Sequence, residues 1–397
     1  MQYTLTPNAV YTHTAYRLRT HLRLTDFSTG CTASHLLLVV FTACARLGSL
    51  FAACARLLRA PGAETIRKAL LASLPDQDEL QRRLNRALAA DLPRTVRRRR
   101  QRLAADLHLR PYHGLPYTDP AEVYRSQARS GTTHFHAYAT AYLVYRGQRF
   151  TVALTAVRRG EALADVLRRL LRQAARVGVR PCLLLLDRGF CSVAVLRYLQ
   201  AARYPFLMPL VCRGRKADHP RGPSGSRVFL SWRRSGFSRY TLHDEKGRPA
   251  TVSVCVRCCR PRRRGRRRGL QRLVYAYWGV RPGSTDWVRQ TYRQRFGVES
   301  SYRQLGEALP RTSTRNPVVR LFLVGVALLL RNVWVWLHYA VLSTPRRGGR
   351  RLNLERLRFK ALLLMLLHVA EERFGIRDEV PSERPVWNTL RSRERTT

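Results

Sequence analysis

Three acidic residues occupy positions where metal-dependent phosphodiester chemistry could be built: Asp106, Asp187 and Glu299. Cutting a phosphodiester in line requires an activated water and neutralisation of charge on the attacking and leaving oxygens. A pair of divalent ions about 3.5 to 4 Å apart supplies both. Hard ions such as Mg²⁺ bind a few carboxylates and otherwise water and phosphate oxygens. These three carboxylates are therefore the candidate catalytic and metal-binding residues.

Two of the three carboxylates lie on predicted strands. Apolar residues alternate with polar ones from Leu103 to Leu109, which predicts a strand that carries Asp106 and His108 on one face. Cys182–Leu186 is continuously apolar and ends directly before Asp187, as a buried strand would. Proteins of the α/β class place their chemistry at the carboxyl ends of such strands.

Glu299 belongs to a predicted helix that runs from Thr285 to about Leu309. Tyr292, Arg295 and Glu299 are spaced three and seven residues apart, so a helix places all three on one face. The alternative is that Arg295 and Glu299 form an ordinary i, i+4 ion pair on a solvated surface.

These motifs resemble those of DDE transposases of bacterial and archaeal insertion sequences, in the IS-four group. Tyr292-x-x-Arg295-x-x-x-Glu299 is similar to the Y-R-E signature of the family, and Asp187-Arg188-Gly189-Phe190 to its second-aspartate motif. The resemblance covers about residues 100 to 340, including Pro111-Tyr112-His113-Gly114 after Asp106. Each motif alone is weak, but together they are specific.

The resemblance implies an RNase H-like catalytic domain with a β-rich insertion between the second aspartate and the glutamate. It implies Asp106, Asp187 and Glu299 as metal ligands, and Tyr292 and Arg295 as contacts to the DNA end. The family's signature ends in a lysine seven residues after the glutamate, and here that position is Gly306. Arg303 is a candidate to supply the missing charge from the preceding turn.

The charge of the chain indicates nucleic acid as its partner. Lys and Arg total 73 against 25 Asp and Glu, a net charge of +48. Arginines crowd the segment from 257 to 269, predicted to be a loop that grips phosphates, although charge runs are often merely solvated. The predicted DNA-binding residues are Tyr292, Arg295, Arg188, Arg303, Arg262, Arg263, Arg264, Arg266, Arg267 and Arg268.

The fold class expected is α/β with a mixed α+β arrangement. An all-helical N-terminal segment, 1–95, is a candidate DNA-binding domain or a plain packing domain. The catalytic domain would comprise residues 96–210 and 283–345, with the basic β-rich insertion at 211–282 and a C-terminal helix and tail at 346–397. Two apolar stretches, Leu36–Leu58 and Val318–Val341, are interrupted by arginines, which predicts buried helices rather than membrane spans.

The hydrophobic periodicity predicts individual elements. Expected helices are His35–Arg46, Ser49–Arg59, Ala63–Ser73, Asp78–Ala90, Gly160–Val177, Val193–Ala202, Val318–Val341 and Leu352–Phe374. Expected strands are His134–Tyr145, Arg149–Val157, Phe206–Leu210, Arg227–Trp232, Thr251–Val256 and Leu270–Trp278.

Nine cysteines and the absence of an opening secretion signal predict a reduced cytoplasm. The resemblance to bacterial and archaeal transposases implies that this is a prokaryotic cytoplasm, with the protein associated with the nucleoid. Cys255-x-x-Cys258 leaves a zinc site open, without a second ligand pair at finger spacing. The sequence contains no phosphate-cradling GxxxxGK[ST] loop, so ATP use is not indicated.

The sequence therefore favours a transposase that cleaves double-stranded DNA at inverted-repeat ends and transfers the strand into target DNA. The cofactor expected is two Mg²⁺ ions, with Mn²⁺ as a substitute, and the resemblance implies a homodimer in a synaptic complex. The alternatives are a catalytically inactive basic DNA-binding protein from a decayed or domesticated element, and a resolvase-like DNA nuclease.

Overall fold

The N-terminal third of the chain is helical, as predicted, and contains two helices, Pro7–Leu22 and Arg94–Arg98, that the pattern did not indicate. Its helices are α1 Pro7–Leu22, α2 Ala33–Arg46, α3 Leu50–Arg56, α4 Ala63–Ser73, α5 Gln77–Ala90 and α6 Arg94–Arg98. Side-chain caps fix their starts: the Thr32 hydroxyl accepts from the amide of His35, and Asp76 accepts from those of Asp78 and Glu79. The computed structural model describes residues 4–145, 148–260, 262–263, 266–267, 269–295, 306–347 and 349–379.

Nine strands of the described chain form one mixed sheet. They are β1 Gln101–Pro111, β2 Tyr124–Arg129, β3 Thr132–Tyr145, β4 Gln148–Val157, β5 Pro181–Leu186, β6 Phe206–Pro209, β7 Gly236–His243, β8 Pro249–Cys259 and β11 Gln271–Trp278, with the short β9 Arg262–Arg263 and β10 Arg266–Arg267 paired to each other apart from it. The order is β4-β3-β1-β5-β6-β11-β8-β7, and β2 pairs with the first residues of β3. β1, β5 and β6 run parallel, and the other pairings are antiparallel. The predicted α/β class is confirmed.

The strands β7, β8 and β11 of residues 211–282 are continuous with the main sheet. β11 pairs with β6, so the strands of the predicted insertion extend the sheet that carries the candidate site. The strand predicted at Arg227–Trp232 is wrong: Gly225–Ser231 is a 3₁₀ helix. β7, whose residues were assigned to no strand, pairs with β8 over its full length. The basic loop contains the β9–β10 hairpin.

Of the remaining helices, the first four contact the sheet, and the last packs against α1 and α2. They are α7 Leu163–Arg176, α8 Val193–Ala201, α9 Thr285–Arg293, α10 Pro317–Ala340 and α11 Phe359–Phe374. α9 ends at Arg293, earlier than predicted, and α11 begins seven residues later than predicted. α10 is long and apolar enough to cross a membrane, but 89% of its most apolar window is buried inside the protein. α2 and α3, which also pass that test as a pair, are bent by 102° at their junction.

The free edge of β4 is closed by side-chain amides. Asn332 of α10 accepts from the amide of Thr151 at 3.0 Å and donates to its carbonyl at 2.8 Å. Asn85 of α5 makes the same pair of bonds with Leu154. An exposed sheet edge presents unpaired backbone groups, and these amides satisfy them inside the core. Gly325 lets α10 approach α5 closely, because a Cβ at this position would overlap the side chain of Leu84.

We expect Asn332→Ala to lower the free energy of unfolding by about 2 to 4 kcal/mol, because it leaves buried backbone groups of Thr151 and Leu88 without partners. Urea denaturation followed by circular dichroism measures the change. Asn353→Ala is the matched control, since Asn353 is exposed and caps only a short 3₁₀ turn. An equal loss in both variants would show that the amide pairing of β4 contributes nothing specific.

Candidate active site

Asp106 and Asp187 lie side by side on neighbouring parallel strands. The register pairs Ala105 of β1 with Leu186 of β5, so the next residue on each strand is an aspartate at the same level of the sheet. Ala104, Leu183 and Leu185 face the side of the sheet that α9 covers, because they pack with Val288 and Tyr292. Since side chains alternate along a strand, both carboxylates face the same side.

One guanidinium group joins the two carboxylates. Arg295 Nη2 lies 3.3 Å from Asp106 Oδ2, and Arg295 Nη1 lies 3.3 Å from Asp187 Oδ1. The Asp106 side chain is 13% exposed and that of Asp187 is 45% exposed. The site is therefore open to solvent on the side of Asp187.

Tyr292 binds the guanidinium of Arg295, and Arg149 binds its backbone. The Tyr292 hydroxyl donates to the carbonyl of Leu186 at 3.2 Å and accepts from Arg295 Nη1 at 3.3 Å. Arg149 Nη2 on β4 donates to the carbonyls of Gln294 and Arg295 at 3.1 and 3.0 Å. These carbonyls lie at the C-terminal end of α9, where a cation is favoured. Arg295 is thereby fixed over the two carboxylates.

The charges of the site stabilise Arg295 as a cation. Burial disfavours its charged form, but Tyr292, Asp106 and Asp187 outweigh burial and raise the pKa of Arg295 above its ordinary value. Burial raises the pKa of Tyr292 as well, even against the pull of Arg295, so its hydroxyl stays protonated and able to donate. The arrangement is two acidic side chains that share one permanent cation.

Several predicted site residues lie elsewhere or outside the described residues. Arg188 follows Asp187 directly and is exposed. Arg262, Arg263, Arg266 and Arg267 lie in the β9–β10 hairpin. Four others lie outside the described residues: Glu299, Arg303, Arg264 and Arg268. Tyr292 is 2% exposed and Arg295 is 8% exposed, so both side chains make their contacts inside the protein. Their contact with a DNA end stays a prediction.

The zinc site left open at Cys255 and Cys258 is not favoured by the structure. The two cysteines are three residues apart on β8, so they point to opposite faces of the sheet. Burial raises the pKa of Cys255 to about 12, which keeps it a neutral thiol. Among the residues that the structure describes, no group of three or more His, Cys, Asp and Glu side chains converges on one point.

Sequence reasoning missed Arg149 as a part of the site. Arg149 is 8% exposed, and its guanidinium lies 5.1 Å from the centre of the Tyr142 ring. The available signal was an arginine at the start of a predicted strand, because an arginine in such a position is rarely buried without partners. What could not be seen in the sequence is that its partners are the last carbonyls of α9.

The fold and the site define an α/β protein that presents an acidic pair at one level of two neighbouring parallel strands, within a strongly basic chain. Comparison with known proteins then gives its family. Residues 115–332 match the family described as transposase DDE domain, and the chain belongs to that family. The match includes Asp187, Tyr292 and Arg295 and begins nine residues after Asp106.

The solved structures contain a similar fold. A piggyBac transposase, in a cryo-EM structure of its synaptic complex with hairpin DNA, superposes with a TM-score of 0.52 at 11% identity over 99% of this chain and 85% of that chain. At this identity the likeness concerns the fold alone. A sequence search of the curated proteins finds no match.

We expect Arg295→Gln to bind Mn²⁺ or Mg²⁺ at least threefold more tightly than the natural protein. The guanidinium contacts both carboxylates, so it repels a divalent ion and competes for the same oxygens. Isothermal titration calorimetry without DNA measures the affinity. Arg295→Lys, which keeps the charge, is the control and should not tighten binding. Equal metal affinity in the natural protein and Arg295→Gln would contradict the competition.

Proposed function

We propose that this protein is a transposase that cleaves DNA at the ends of its own element and joins the freed 3′ hydroxyl to target DNA. The observation that carries the proposal is the pairing of Asp106 and Asp187 at one level of the sheet, with both carboxylates sharing a single cation. Membership of the transposase DDE domain family supports the same reaction class.

The acidic pair fits divalent metal ions. Its donors are carboxylate oxygens, the ligands that Mg²⁺ and Mn²⁺ take, and the position already attracts positive charge from Arg295. Asp106 and Asp187 would hold the metal, together with Glu299, which lies outside the described residues. Two bound Mg²⁺ ions would supply an activated water and neutralise the attacking and leaving oxygens.

The protein's own residues position and neutralise. β1 and β5 hold the two carboxylates at a fixed separation, and Tyr292 ties Arg295 to the strand that ends at Asp187. Arg188 is exposed directly beside Asp187, so it is placed to pair with a backbone phosphate at the cut. The arginine-rich segment from 257 to 269 adds positive charge to the chain, which favours further contacts with phosphate.

The partner in this proposal is double-stranded DNA, as inverted-repeat ends and as target. A net charge of +48 favours a polyanion. The piggyBac transposase of similar fold was solved as a synaptic complex with hairpin DNA, and by analogy we propose a homodimer that brings two ends together. The place of action would be the prokaryotic cytoplasm, at the nucleoid.

The test is metal-dependent nicking of a duplex that carries the DNA flanking the gene. The natural protein should cut one strand at a defined position in Mg²⁺ or Mn²⁺ and not in EDTA. Asp187→Asn and Glu299→Gln should each lower the rate at least a thousandfold, because each removes a metal ligand. The readout is denaturing gel electrophoresis of end-labelled DNA.

Asp165→Asn is the matched control for this test, because Asp165 is an exposed carboxylate of α7 that pairs with Arg168. It should cut at the natural rate. Undiminished cutting by Asp187→Asn would overturn the proposal. DNA binding with steep salt dependence and no cutting by the natural protein in either metal would instead establish the inactive DNA-binding alternative.

A further inference from the structure

A second cationic feature lies on the same face of the sheet as the acidic pair. A cavity of about 220 Å³ opens between the far end of β1 and β3 and the segment that leads into α10. We call it the Arg110 cavity. Its polar lining comprises Arg110, His136 and Tyr138 from the sheet, and Arg311, Thr312 and Arg320 from the segment and helix.

The Arg110 cavity gathers three arginines and no carboxylate in its lining. Neither Arg110 nor Arg320 forms an ion pair with any acidic residue that the structure describes. Burial lowers the pKa of both guanidinium groups, and the charge of Arg320 lowers that of Arg110 further. Arg320 is held by backbone carbonyls instead: its Nε donates to that of Thr314 at 2.6 Å. Half-buried cations without a counterion are costly, which favours an anion in the cavity.

The other lining groups suit an oxyanion. His136 is 4% exposed, and its Nε2 has no hydrogen-bond partner among the described residues. Burial, with help from Arg320, lowers the pKa of His136 to about 4, so the ring is neutral and adds no further charge. Its ring packs edge-on against Tyr112, over which Arg320 also lies at 4.7 Å. The arginines are thus held in place, while Arg311 is exposed at the rim.

The position of the cavity relates it to the acidic pair. Asp106, His108 and Arg110 alternate along β1, so they share one face. Arg110 is four residues beyond Asp106, a span of about 13 Å at roughly 3.3 Å per strand residue. One DNA strand carries a phosphate about every 3.4 Å of helix axis, and neighbouring phosphates are further apart than this along the backbone itself, so the span corresponds to about two to four phosphates.

We propose that the Arg110 cavity binds one backbone phosphate of the DNA, about two to four linkages from the phosphate that is cut. The proposal rests on the proposed function. Contacts to phosphate fix the register of DNA on a protein without reading its sequence. Arg110 and Arg320 would thus set which linkage reaches Asp106 and Asp187.

The test is a scan of duplexes in which one phosphate at a time is replaced by a neutral methylphosphonate. One replacement, two to four linkages from the cut, should lower the affinity of the natural protein at least fivefold. The same replacement should lower the affinity of the double variant Arg110→Gln, Arg320→Gln less than twofold, because the contact is already lost. Identical profiles in both proteins would overturn the proposal.

Arg172→Gln is the matched control, an exposed arginine of α7, and should keep the natural profile. If the double variant fails to fold, as judged by its thermal transition, Arg110→Gln alone replaces it with the same expectation. Arg110→Lys should retain part of the sensitivity because it keeps the charge.

A failure of the proposed function is distinguishable from a failure of this proposal. If the natural protein cuts no DNA, its binding to a duplex of arbitrary sequence still tests the cavity. The slope of log affinity against log salt should become shallower by about 0.9 in the double variant, the amount that the loss of one phosphate contact removes. A slope that changes no more than that of Arg172→Gln would overturn the cavity assignment, whatever the protein's activity.

Discussion

The sharing of one guanidinium by two carboxylates is the interaction on which the rest of the structure depends. Asp106 and Asp187 would repel each other across neighbouring strands if Arg295 did not lie 3.3 Å from each. Arg295 can occupy that position because Tyr292 accepts a hydrogen bond from its guanidinium and Arg149 donates one to its backbone carbonyl. The site is therefore already organised around a positive charge, before any metal ion or DNA is considered.

That interaction in turn requires the sheet to keep its register. The parallel pairing of β1 with β5 sets the two aspartates level, and a slip of one residue would turn one of them to the other face. β4, which carries Arg149, is held in place by Asn332 and Asn85 along its outer edge. The helical body formed by α5 and α10 thus stabilises the active site through the backbone of an edge strand rather than by contact with it.

The sequence predicted the parts of the fold whose signals are local. Alternation revealed β1, a continuous apolar run revealed β5, and the family motifs identified Asp187 and Arg295. α1 was missed because its apolar residues, such as Leu18, are separated by polar ones, although Thr6 and Pro7 mark its start. The joining of β11 to β6, and the reach of Arg149 to the end of α9, depend on contacts between residues distant in sequence, which no local pattern encodes.

The distribution of charge explains how an acidic site can exist in so basic a chain. Several carboxylates of the described surface are paired with arginines of their own helix or turn, such as Glu79 with Arg82 and Arg83, and contribute little to the wider field. Asp106 and Asp187 are different because the two carboxylates share one buried arginine and Asp187 remains partly open to solvent. In the proposed function, the excess of arginine would attract the phosphate backbone, and the acidic pair would hold a divalent cation beside that backbone. The basic surface and the acidic site are therefore complementary requirements of the same chemistry.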